Sequence, residues 1–159
     1  MHRVLRVALT ACAALVGAGR PMPVAEAPQP VAEIADASLR DVAVAVYDPV
    51  HPVIYYNPDL LQRFSPELRA FFMAHERAHI ALRHTRAGAL RGQPGTGDQA
   101  LQAKELEADC QAARELGPAR RNVSLAAVRF FTRLGNNRFD SEHPTGAQRA
   151  ARILACMPL

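Results

Sequence analysis

The residues best equipped for chemistry are His75, Glu76 and His79, which form a His-Glu-x-x-His pattern within Phe71-Phe72-Met73-Ala74-His75-Glu76-Arg77-Ala78-His79. On a helix, side chains four residues apart lie one above the other, so His75 and His79 can offer two imidazoles to one metal ion. Glu76 falls about 100° round the axis from His75. Its carboxylate then sits beside the ion rather than on it, placed to take a proton from a water. A tetrahedral catalytic zinc keeps three protein ligands and one open position, so a third ligand is expected elsewhere. Lys104-Glu105-Leu106-Glu107-Ala108-Asp109 supplies it. If this segment is helical, Glu105 and Asp109 share a face, and Glu105 can bind the metal while Asp109 receives a ring N–H from a ligating His. Glu107 points to the other side. The plainer alternative is a solvated acidic helix face, but the flanking apolar residues turn the Glu105/Asp109 face inward.

These groups need helices to hold them. Ser65-Pro66-Glu67 is a helix start, with Ser at the N-cap and Pro at the first position. Leu68, Phe71, Phe72, His75, His79 and Leu82 then recur at helical spacing as far as about His84. His84 falls about 140° from His79 on that helix, too far round to share the ion. It is expected at the helix end, where a cationic ring suits the dipole. A second ligand helix is expected over 99–116, closed by Gly117-Pro118. Val123–Leu134 reads as a third helix with Leu125, Val128 and Phe131 in the core, and Thr145–Met157 as a last one. Ahead of them, Arg40–Tyr47 reads as a strand, residues 48–52 as a turn exposing His51, and Val53–Asn57 as an antiparallel partner strand. Residues 88–98, with Gly92, Pro94, Gly95 and Gly97, read as a loop. The fold class expected is α+β, a short hairpin or small sheet packed on about four helices.

Three blocks carry a family resemblance: HERAHIALRH at 75–84, ELEADCQAA at 105–113 and EHPTGAQRAARI at 142–153. Together they resemble the gluzincin zinc metallopeptidases, in particular the HtpX-like and CAAX-prenyl-endopeptidase-like family and its small exported members. With Asn57-Pro58 the resemblance spans about residues 40–155. It implies a minimal gluzincin core holding one zinc through His75, His79 and Glu105, with Asp109 behind the ligands and Glu76 as general base. It also implies that His143, in the His-Pro loop, and Arg149 belong to the active site without binding metal. By the same resemblance, the second strand is a candidate edge for pairing with an extended polypeptide substrate. The family departs here at Arg77-Ala78, where an apolar residue and Gly are more usual.

Composition narrows the setting. A chain of 159 residues suits one domain. A net charge of +4, with Arg3 and Arg6 in a segment expected to be removed, is too small to argue for nucleic acid. Residues 1–27 read as an export signal: Arg3 and Arg6 precede an apolar run from Val7 to Val16, followed by small residues. Leu9-Thr10-Ala11-Cys12 also resembles a lipoprotein signal that would acylate Cys12, and an uncleaved anchor is a third option. Residues 28–38 are then a Pro-rich linker and 39–159 the metallopeptidase domain. Periplasmic or secreted location follows as the expectation. There Cys110 and Cys156, left after Cys12 goes with the signal, either pair or serve as small buried apolar side chains. Two rivals stand beside the exported zinc endopeptidase: a non-catalytic zinc-binding or chaperone-like exported protein, and an intracellular minimal gluzincin acting on a repressor.

Overall fold

The computed structural model describes residues 30–84 and 97–158. The signal or lipoprotein reading of residues 1–27, Cys12 included, and most of the loop read at 88–98 lie outside the described residues. Among the described residues three strands and five α-helices follow in order: β1 (Ala32–Ala35), β2 (Ala43–Val46), β3 (Val53–Tyr56), α1 (Pro58–Leu61), α2 (Pro66–Ala81), α3 (Asp98–Leu116), α4 (Arg121–Leu134) and α5 (Gly146–Cys156). The class is α+β, as expected. Among the described residues no helix is long and apolar enough to cross a membrane.

The sheet order is β1-β3-β2, with β2 antiparallel and β1 parallel to β3. The β2–β3 pair matches the expected hairpin. Two expectations change. Part of 28–38, read as linker, is β1, whose four residues are all exposed and which joins the fold through backbone pairing rather than through the core. Consequently β3 is the central strand, occupied on both sides, and cannot be the substrate edge. Among the described residues β1 and β2 are the two edges, and β2 is the one that lines the cleft described below.

Helix ends follow local chemistry. Ser65 Oγ accepts from Leu68 N–H at 3.3 Å, with Pro66 at the first helical position. Thr145 and Gln148 form a reciprocal capping box at the start of α5. The buried Asn57 starts the short α1, which the sequence reading did not separate; its Oδ1 accepts from Asp59 and Leu60 N–H while its Nδ2 donates to the Ala37 and Leu39 carbonyls. Gly117 and Gly135 end α3 and α4 with φ of 62° and 56°, where a side chain would be strained.

The helices pack round Phe71, Phe131 and Ile153, all fully buried, with Ala78, Ala108, Ala112, Ala113 and Ala127 buried in the same cluster. Of the α4 residues expected in the core, Phe131 is central, whereas Leu125 and Val128 pack at its border and Val123 and Ala127 lie inside. A second apolar cluster, Ala45, Ile54 and Ile80 with Met73 against them, seats the sheet on α2. Cys110 and Cys156 are joined by a disulfide that ties α3 to α5.

Candidate metal centre

Because α2 buries the face bearing Leu68, Phe71 and His75, its two imidazoles point into the interface with α3. There Glu105 and Asp109, one helical turn apart, meet them. His75 Nε2 lies 3.1 Å from Glu105 Oε2 and 3.0 Å from His79 Nε2, and His79 Nε2 lies 3.3 Å from Glu105 Oε1. Two nitrogens bound tetrahedrally to zinc at about 2.05 Å would be about 3.3 Å apart. The three side chains therefore converge at the spacing of ligands round one ion, and they form a cluster able to hold a metal.

Support comes from behind. Asp109, fully buried, places Oδ1 3.0 Å from His75 Nδ1, which fixes Nδ1 as the protonated nitrogen and turns Nε2 toward the ligand cluster. Arg149 holds that carboxylate in bidentate fashion, Nε to Oδ2 at 2.8 Å and Nη2 to Oδ1 at 2.7 Å, while its guanidinium lies 4.1 Å from the Phe131 ring centroid. Arg149 thus braces His75 from behind, chiefly through Asp109, with its own Nη2 3.4 Å from His75 Nδ1. Burial alone would depress the His75 pKa, but the Asp109 and Glu105 carboxylates push it up to about 10. Burial opposes ionisation of Glu105, yet the two imidazoles hold it well below the usual carboxylate range. Asp109 is likewise lowered against its burial, chiefly by Arg149.

Glu76 stays off the cluster. Its Oε2 accepts the Ala45 N–H at 2.6 Å, from the unpaired side of β2. Asn57 N–H bonds the Val42 carbonyl, so by alternation Ala43 shares the outward side with Ala45. A cleft of about 500 Å³ opens between this strand, the ligand cluster and the loop leading to α5, with Phe64, Phe72 and Phe139 on its walls.

His143 enters from that loop. Its Nδ1 lies 2.8 Å from Asp140 Oδ1, which also accepts the backbone N–H groups of Glu142 and His143. Held so, Nε2 faces Glu105 Oε2 at 3.9 Å, across the cleft from the ligand helix. Burial raises the Asp140 pKa, but the bonds from His143 and the backbone bring it below its ordinary value. The sequence reading missed Asp140, although Asp-x-x-His in a polar loop is a recognisable turn signature.

His84 corrects its expectation. It does lie just past the helix end, but instead of facing the helix dipole as a cation it is buried, with Nδ1 3.1 Å from His79 Nδ1 and Nε2 3.2 Å from Glu107 Oε2. Burial, and after it the neighbouring His79, lower its pKa. Glu107 does point away from the His75, His79 and Glu105 cluster, as expected, and is more than half exposed.

One comparison with known proteins gives a match: the family described as "putative metallopeptidase domain" covers residues 37–151, a span holding every side chain named in this subsection. No curated protein and no solved structure matches the chain.

Proposed function

The chain belongs to the putative metallopeptidase domain family, and from that premise we propose that it is a zinc-dependent endopeptidase cleaving exported or misfolded envelope polypeptides. The observation that carries the reading is the separation of roles: His75, His79 and Glu105 converge, while Glu76 lies beside them with its carboxylate committed elsewhere. Two His and one Glu are a donor set that suits catalytic zinc. Zinc bound there would supply Lewis acidity, polarising the scissile carbonyl and lowering the pKa of a water so that it can attack at neutral pH. Within metallopeptidases, the order of the three blocks, His-Glu-x-x-His, Glu-x-x-x-Asp and His-Pro with a following Arg, supports an HtpX-like gluzincin type.

The chain's own groups divide the remaining work. Glu76 accepts the proton of the attacking water and delivers it to the leaving amine, so the peptide C–N bond breaks with a neutral amine departing. His143, held with Nδ1 2.8 Å from Asp140 Oδ1, turns Nε2 to the cleft, where it is placed to hydrogen-bond the carbonyl oxygen as negative charge builds there. Asp109 and Arg149 keep His75 in the tautomer that presents Nε2. An extended substrate can pair along β2, taking up backbone groups that the free protein leaves to Glu76 or to water. The Cys110–Cys156 bridge and the apolar run after Arg3 and Arg6 support an oxidising, extracytoplasmic setting, with a lipid anchor at Cys12 as the route to a membrane.

The test compares wild type with Glu76→Gln on a mixture of unfolded exported proteins, with cut sites identified by mass spectrometry. The variant removes the base and no ligand, so zinc content should persist while cleavage drops by at least about 100-fold. Identical peptide patterns from both proteins would refute the mechanism and favour a non-catalytic, metal-binding protein.

A further inference from the structure

We infer that His84 is a positioning residue for the metal centre, fixing the second ligand His79 through a ring-to-ring hydrogen bond that ends on Glu107. The inference rests on the zinc reading above and extends it to residues which that reading leaves unused. The two ligand imidazoles need the same help. Each must present Nε2 to the ion, so each must carry its proton on Nδ1 and give it to an acceptor. For His75 the acceptor is Asp109. For His79 the group facing Nδ1 is the His84 ring, at 3.1 Å.

Only one proton arrangement satisfies both contacts of His84. With Nε2 of His79 among the ligands, its Nδ1–H donates to a bare His84 Nδ1. His84 then carries its proton on Nε2 and donates to Glu107 Oε2, 3.2 Å away. The opposite tautomer of His84 would set two N–H groups against each other and turn a lone pair toward a carboxylate. Burial matters as well, because His84 is only 8% exposed and water cannot readily replace its contact to His79.

The backbone shows how a residue off the ligand face gets there. Helix α2 ends in a Schellman motif: His84 N–H bonds the His79 carbonyl at 2.8 Å, and Arg83 N–H bonds the Ile80 carbonyl at 3.0 Å. Arg83 takes the left-handed conformation, φ 56°, that this closure requires and that glycine usually supplies. The turn swings His84 back over the last helical residues and onto the far side of the His79 ring.

The experiment measures zinc dissociation constants, by competition with a chromophoric chelator, for metal-free wild type, His84→Ala, His84→Asn and Glu107→Ala. His84→Ala should bind zinc roughly 10- to 100-fold more weakly. His84→Asn should recover most of the loss, since its amide oxygen can stand where Nδ1 stood. Glu107→Ala should cost less than about tenfold, as its exposed site admits water in place of the carboxylate. A residue that merely fills space would lower the melting temperature of the metal-free protein without this pattern in zinc affinity. Affinities of His84→Ala and His84→Asn both within about twofold of wild type would overturn the relay. Should His84→Ala not fold, nitrogen-15 spectra of the imidazoles in zinc-loaded wild type decide: a His84 protonated on Nδ1 overturns it, one protonated on Nε2 supports it. Wild type that holds no zinc would sink the metal-centre reading and this one together, whereas tight wild-type binding with unaltered variants sinks the relay alone.

Discussion

Reducing the disulfide should remove a large part of the stability of this domain. Cys110 and Cys156 are 46 residues apart in sequence. In the chain-entropy treatment, opening a loop of that length returns to the unfolded chain about 2.1 + 1.5R ln 46, or roughly 13.5 cal/mol/K, equivalent to about 4 kcal/mol at 25 °C. Against a typical total of about 5–15 kcal/mol, that is a major share. At about 4 °C per kcal/mol for a domain of this size, the melting temperature should fall by about 16 °C. The assay is urea unfolding of metal-free protein with and without reductant, with Cys156→Ser as the control on which reductant must have no effect. The reduced protein should match that variant, with an unchanged dependence on urea. A difference below about 1 kcal/mol between oxidised and reduced wild type would refute the reasoning, by showing that the reduced unfolded chain already keeps α3 and α5 together.

Zinc uptake should be steeply pH-dependent, because the ion must displace a proton from a His75 whose pKa stands at about 10. Between pH 7 and 9 calorimetry in buffers of different ionisation heat should find close to one proton released per ion, and affinity should rise about tenfold per pH unit. The same raised pKa stabilises the metal-free fold fully below about 6.5 and is lost as the pH climbs through about 10, so its melting temperature should drop over that window while the zinc-loaded protein resists. His143→Ala should lower kcat by about 10- to 1000-fold with zinc content and melting temperature nearly unchanged; loss of metal or fold instead would show that His143 is structural. Gly146→Ala should destabilise by about 1–3 kcal/mol, because the added Cβ would stand 2.4 Å from the Phe131 carbonyl oxygen and 2.6 Å from Leu134 Cβ, and α5 would have to move away from α4. Chemical denaturation reads this directly, and a neutral result would mean that the helix pair can slide.

How much was legible beforehand depended on how local each relationship was. The convergence of His75, His79 and Glu105, with Asp109 one turn on, needed only the helical repeat within two segments, and the apolar spacing of those segments showed which faces meet. Strand order was not legible that way. The turn at 48–52 announces β2 and β3 as neighbours, but β1 is a short Ala-Glu-Ile-Ala stretch with no buried face to leave a pattern. Without it, β3 looked like an edge. The contacts of His84 were not legible because a helical wheel assumes that the helix continues, whereas α2 ends at Ala81 and the left-handed Arg83 re-aims the ring. His143 and Arg149 come from resemblance alone; nothing in the spacing of Arg149 points across 40 residues to Asp109.

The Asp109–Arg149 clamp has a further consequence in the order of synthesis. A chain emerging from the ribosome presents both histidines, Glu105 and Asp109 well before Arg149, and Asp109 cannot be buried at low cost until that guanidinium arrives. The α2–α3 pair should therefore stay open or hydrated during elongation and close only when α5 docks. Built this way, the ligand cluster becomes rigid only once α5 has brought Arg149 to Asp109.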